Sequence, residues 1–196
     1  NALTFQTVVK TVAHRNGLHA DFSAKPLENE PGNGFHINIS VKPNETSENL
    51  CYMIAGILQR AEEMTAFLNP TENSYKRFGK NKAPAYISWS SENRSQLVRI
   101  PAAVGEYRRA EFRSPDPTSN PYLAFTLMIY AGLYGLENKL DLPSPANINL
   151  FKASAETLAK YKKLPENFSR ACEIAAASDF IKEHIPAEIL NIYCNR

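Results

Sequence analysis

The stretch "RRAEFRSPDPTSNPYLAF", residues 108–125, decides the fold. Its first six residues alternate. As an extended strand they put Arg109, Glu111 and Arg113 on one face and Arg108, Ala110 and Phe112 on the other. Prolines at 115 and 117 then stop regular structure. Asn120-Pro121 opens an apolar helix running to about Tyr134, with proline at the first helical position. A strand with one charged face therefore leads, through a stiff loop, into a core helix.

Segments on either side follow the same rules. Phe35 to Val41 alternates, with Phe35, Ile37, Ile39 and Val41 against His36, Asn38 and Ser40. Leu18 to Ala24, Ala85 to Trp89 and Gln96 to Ile100 also read as strands. Thr4 to Asn16 carries a helical apolar face closed by Gly17. Thr46 to Leu68 is the longest helix expected, capped by Thr or Ser and stopped by Asn69-Pro70. Beyond Asp141-Leu142-Pro143 come short helical pieces at Ser154–Tyr161, Glu166–Ala177, Asp179–His184 and Ala187–Tyr193. This order predicts an α+β fold, an antiparallel sheet backed by helices. Residues 3–143 form the sheet and core helices, and 144–196 a C-terminal helical segment. Asn1 and Ala2 read as the remnant of a cleaved tag on a truncated chain.

Bulk properties narrow the classes. A chain of 196 residues suits one domain, burying about 70% of its unfolded surface. A net charge of +2 argues against nucleic acid and anionic membranes as partners. The aromatics are scattered, not interleaved with a basic stripe, which also argues against single-stranded nucleic acid. The longest apolar run, Leu123 to Leu136, is fourteen residues and too short for a bilayer. Cys51, Cys172 and Cys194 give neither a disulfide framework nor zinc spacing, which fits a cytoplasmic protein. There is no Walker loop, GxSxG, HExxH or CxxC pair.

The charged strand faces carry the functional signal. Five arginines fall between Arg94 and Arg113. Arginine is the residue for a bidentate grip on carboxylate or phosphate. The face reads either as an anion site or as a salt-bridged surface. His36 reads as a metal ligand or as a lone satisfied histidine, and "PGNG" at 31–34 as a phosphate cradle or a plain turn.

Five blocks then carry a resemblance: "VVKTVAHRNGLHADFSAKP", "GNGFHINIS", "FLNPTENSYKR", "NRSQLVRIP" and "RRAEFRSPDPTSNPYLAF". In this order, over essentially its whole length, the chain resembles the C-terminal catalytic half of glutamine synthetase. The resemblance implies half of a funnel-shaped active site, a half-barrel of sheet backed by helices. It implies a double-ring homo-oligomer with sites shared between subunits. The implied reaction is ATP-dependent: glutamate is phosphorylated on its side-chain carboxylate, and ammonia or another amine displaces the phosphate.

Carried over residue by residue, the resemblance implies that Gly32, Arg77 and Arg113 bind glutamate. Ser40 is implied at the nucleotide, and Arg94 and Arg99 at the nucleotide phosphates and the transferred phosphoryl group, as catalytic residues. His36 and Glu111 are implied as ligands of one of two Mg2+ or Mn2+ ions. Further metal carboxylates are implied upstream of this chain. With two of about six ligands, the chain alone is expected to bind metal weakly and to lack synthetase activity.

The chain also departs from the family pattern. "RFGKNKAP" is a residue shorter than the corresponding flap and puts Lys82 where an acid is expected. Asn38 replaces a histidine, Pro31 an asparagine, and Glu106 falls near an expected lysine. Phe151 stands where some bacterial members carry an adenylylated tyrosine. Three readings result: a glutamate–ammonia ligase, a γ-glutamyl–polyamine ligase, or an inactive relative that binds ligands or partners.

Overall fold

The computed structural model describes residues 1–42, 47–101 and 109–194. The expected cap at Thr46 and the departure at Glu106 lie outside the described residues.

Helix α1 (Ala2–Arg15) ends at Gly17, whose φ of 70° suits glycine alone at low strain. The Gly17 amide bonds to the His14 carbonyl and the Leu18 amide to the Ala13 carbonyl, a Schellman end. Helix α2 (Ser47–Leu68) stops at Asn69-Pro70 as expected, because the residue before proline avoids helical backbone. A one-turn helix α3 (Glu72–Tyr75) follows at once, its first turn capped by Thr71 through the Ser74 amide at 3.2 Å. The sequence pattern gave no warning of it.

Helix α4 (Pro121–Glu137) begins where Asn120-Pro121 predicts, with the Asn120 side chain accepting from the Tyr122 amide at 3.0 Å. The C-terminal segment is four helices: α5 (Ala155–Leu158), α6 (Phe168–Ala177), α7 (Asp179–His184) and α8 (Ala187–Cys194). Ser154, Asn167 and Ser178 cap the first three of these.

The strands are short: β1 (Ile37–Ile39), β2 (Trp89–Ser90), β3 (Val98–Arg99) and β4 (Ala110–Phe112), in the spatial order β1-β4-β3-β2. β4 pairs antiparallel with both neighbours, but β2 runs parallel to β3. The sheet is therefore mixed, not purely antiparallel. The physical reason is that the Val98 and Ile100 amides bond to the Ser88 and Ser90 carbonyls, a parallel ladder.

Two strand expectations fail. Leu18 to Ala24 is irregular because, among the described residues, no strand lies beside it; Asn33 holds it instead, through the Ala24 and Ser23 carbonyls at 2.8 Å each. Ala85 to Trp89 gives up its first residues to an isolated bridge between Tyr86 and Lys163.

The core lies between the sheet and the helices. Ile37, Val98, Ala110 and Phe112 point into it from the strands and meet Ile54, Ile57, Phe67, Leu127 and Met128. Helices α2 and α4 touch backbone to backbone at Gly56 and Gly135. A Cβ on Gly135 would lie 2.0 Å from the Tyr52 carbonyl oxygen, and one on Gly56 would lie 2.1 Å from that of Ala131. Among the described residues no helix is long and apolar enough to cross a membrane.

Candidate active site

Because Ala110 and Phe112 are buried in the core, alternation turns Glu111 to the opposite face of β4. Register then sets its neighbours: Glu111 lies across from Asn38 on β1 and from Arg99 on β3. Both carboxylate oxygens are engaged. Oε1 lies 3.2 Å from His36 Nδ1, while Oε2 accepts from Arg99 Nη1 at 3.1 Å and from Arg113 Nη1 at 2.8 Å. Arg109, at the strand's exposed start, donates from Nε to Asn38 Oδ1 at 3.1 Å.

Burial pushes the Glu111 carboxyl up, but the Arg113 bond and charge, with His36 and Arg99, outweigh it and hold the group below its ordinary range. His36 is pushed the other way. Burial, then the Arg113 charge, lower its pKa despite attraction to Glu111. The pair at neutral pH is thus an ionised carboxylate beside a neutral imidazole, the protonation states that ligate metal.

Arg77 follows α3 and reaches under the site. Its Nη1 donates to the Ser114 carbonyl at 3.0 Å and lies 3.7 Å from Asp116 Oδ2, with both side chains almost wholly buried. Asn69 ties the same two acceptors, and the Thr118 amide fixes the other Asp116 oxygen at 2.9 Å. Burial lowers the Arg77 pKa, and attraction to Asp116 offsets only part of this. The backbone near Gly32 passes so close that a Cβ there would meet the Ala24 carbonyl oxygen at 2.5 Å and Arg77 Cγ at 2.7 Å. That proximity, not a positive φ, explains the glycine.

These groups surround a hollow of about 400 Å³. Of the residues predicted from sequence, Gly32, His36, Arg77, Arg94, Arg99, Glu111 and Arg113 all line it, as does Pro31. Ser40 does not: it lies beyond the end of β1, exposed. Arg94 also borders a second, polar recess with Ser90, Glu92, Asn93 and Asn147.

Sequence reasoning missed Lys25 and Lys80 on the wall and the Asp116–Asn69 support beneath Arg77. Nothing in the pattern marks the lysines. Asp116 had a signal: an acid between two prolines, near an arginine strand.

Among the described residues, seven lysines and arginines line the hollow against one carboxylate. The Nε atoms of Arg77, Arg99 and Arg113 are buried with no protein partner. Leaving a buried donor unpaired costs about 1–3 kcal/mol each, so the arrangement suits an acceptor-rich, anionic guest. For a divalent cation, His36 and Glu111 supply one nitrogen and one oxygen donor. Among the described residues no group of three or more potential ligands converges. The pair fits part of a coordination shell.

A family model described as the glutamine synthetase catalytic domain matches residues 1–196. The glutamine synthetase of Methanosarcina mazei is 40% identical over 98% of this chain and 46% of its own length. That of Staphylococcus aureus is 38% identical over 100% of this chain and 47% of its own. Two solved GmaS chains, one in an ADP complex and one without ligand, are each 28% identical, with TM-scores of 0.84 and 0.81. They match over 99% and 97% of this chain and 48% and 47% of their own. The chain spans about half the length of the curated relatives it matches. It belongs to the glutamine synthetase catalytic-domain family.

Proposed function

We propose that this chain is the anion-gripping half of an ATP-dependent carboxylate–amine ligase that forms an amide of glutamate. The observation that carries the reading is Glu111, pinned by His36, Arg99 and Arg113 on the floor of a cationic hollow. The GmaS relatives, γ-glutamylmethylamide synthetases, and the named glutamine synthetases support the same class of reaction.

In this reading Gly32, Arg77 and Arg113 hold the glutamate carboxylate. Arg94 and Arg99 face the nucleotide phosphates, where they stabilise charge as the γ-phosphoryl group moves to the glutamate side chain. Ser40 belongs to the nucleotide edge, outside the hollow. The family depends on ATP and divalent metal. His36 and Glu111 would hold one Mg2+ or Mn2+, with a second ion and the remaining ligands supplied outside this chain. A bound cation supplies charge neutralisation at the phosphates. The active unit is a homo-oligomer of the longer protein, with glutamate, ATP and ammonia or another amine as substrates.

One observation favours a second reading, an inactive ligand-binding relative: Lys82 lines the hollow, and a lysine repels ammonium. A phosphate-release assay on the full-length protein, with glutamate, ATP, Mg2+ and a panel of amines, separates them. The ligase releases phosphate only when both glutamate and an amine are present. Nucleotide binding without turnover for any amine would overturn it in favour of the second reading.

A further inference from the structure

We propose that this face of the site selects an amine that itself carries a carboxylate, in preference to ammonia, a plain alkylamine or a diamine. The inference rests on the ligase reading and names the class of its second substrate.

The loop after Arg77 contributes Lys80 and Lys82 to the lining of the hollow and is held in place by its backbone. The Gly79 amide bonds to the Ala83 carbonyl at 2.9 Å, the Ala83 amide to the Lys80 carbonyl at 2.9 Å, and the Lys80 amide to the Arg77 carbonyl at 3.2 Å. Asn81 and Lys82 take positive φ, 45° and 72°, which is uncommon outside glycine. The Lys82 carbonyl accepts from Arg113 Nη2 at 3.2 Å, joining the loop to the strand that carries Glu111. Lys80, Asn81 and Lys82 thereby line the same hollow as the arginines.

An amine approaches as its ammonium ion, which a surplus of positive charge on this face repels. Among the described lining residues Glu111 is the only acid, against seven lysines and arginines. An amine bearing a carboxylate brings its own counter-charge to Lys80 and Lys82. The positive surroundings also favour its neutral, nucleophilic form. The amine nitrogen then forms a C–N bond to the activated carbonyl carbon. The C–O bond to phosphate breaks, phosphate leaves with that electron pair, and the ammonium proton passes to water. Exposed lysines act through screened charge, each worth about a twofold to fivefold preference, so the pair gives about tenfold.

The test uses the full-length protein with glutamate, ATP and Mg2+, and compares β-alanine, propylamine, diaminopropane and ammonium chloride. Amide is read by mass spectrometry alongside phosphate release. The expected kcat/KM for β-alanine is about tenfold above that for propylamine or diaminopropane, and Lys80→Glu removes most of that ratio. Lys82→Asn, which keeps a residue tolerant of positive φ, lowers it by about twofold to fivefold and serves if Lys80→Glu fails to fold. Equal use of the amines, a preference for ammonia or diaminopropane, or a ratio unmoved in folded variants would overturn the inference while the ligase reading stands. Amide from no amine at all sinks both.

Discussion

The helical layer where α2 crosses α4 and the hollow around Glu111 lie on opposite sides of the same strands, and they are built by opposite rules. On the helical side the buried contacts are mostly apolar and close, down to glycine against glycine at Gly56 and Gly135, with Arg60 laid over the Tyr134 ring as an exception. On the hollow side arginines are buried with Nε atoms unpaired and like charges crowd together. The first arrangement stabilises the fold. The second costs stability and is tolerable only because the first supports it, the usual relation between a core and a functional site.

That contrast is breakable by mutation. Phe67 is fully buried and its ring lies 4.9 Å from that of Tyr193. Phe67→Ala should cost about 3–5 kcal/mol of stability, measured by urea denaturation. Gly135→Ala should follow at about 1–3 kcal/mol, because the helices must move apart to admit the methyl group. Neither should alter the relative use of substrates by whatever protein remains folded.

Site changes should do the reverse. Arg113→Lys keeps the charge but loses the fork that spans Glu111 and the Lys82 carbonyl. In the full-length protein it should raise the KM for glutamate about tenfold, a loss of roughly 1.4 kcal/mol in binding, with little shift in the melting temperature. A large loss of stability with unchanged KM would assign Arg113 to the scaffold.

The smallest expected effect is a pH dependence. The folded pKa of His36 lies below its ordinary 6.5. As pH falls through 6.5, the unfolded chain takes up a proton that the folded chain refuses, so stability declines. The contribution is present above 6.5 and is lost toward the lower folded pKa. His36→Gln should flatten the denaturation midpoint between pH 7.5 and 5.5, whereas an equal slope in both proteins would contradict the assignment.

How much of this was legible depended on what drives each element. Helices α1, α2, α4 and α7 were readable because apolar spacing and caps act locally. Glu111 and its flanking arginines were readable because one buried strand face fixes the other. Leu18 to Ala24 misled because alternation is necessary for a strand but a hydrogen-bonding neighbour is also required. The parallel pairing of β2 with β3 and the exposure of Ser40 depend on tertiary path, which no local pattern encodes. The Arg77–Asp116 contact joins residues from two loops, and only the prolines at 115 and 117 hinted that one of them is stiff.

The central claim is that Glu111 and Arg99 form part of a metal–nucleotide site. Calorimetric titration of the full-length protein with ADP and Mn2+ tests it most directly. Saturable binding is predicted, weakened at least tenfold in Glu111→Gln and in Arg99→Gln with both variants folded. Binding of equal strength in all three proteins would contradict it.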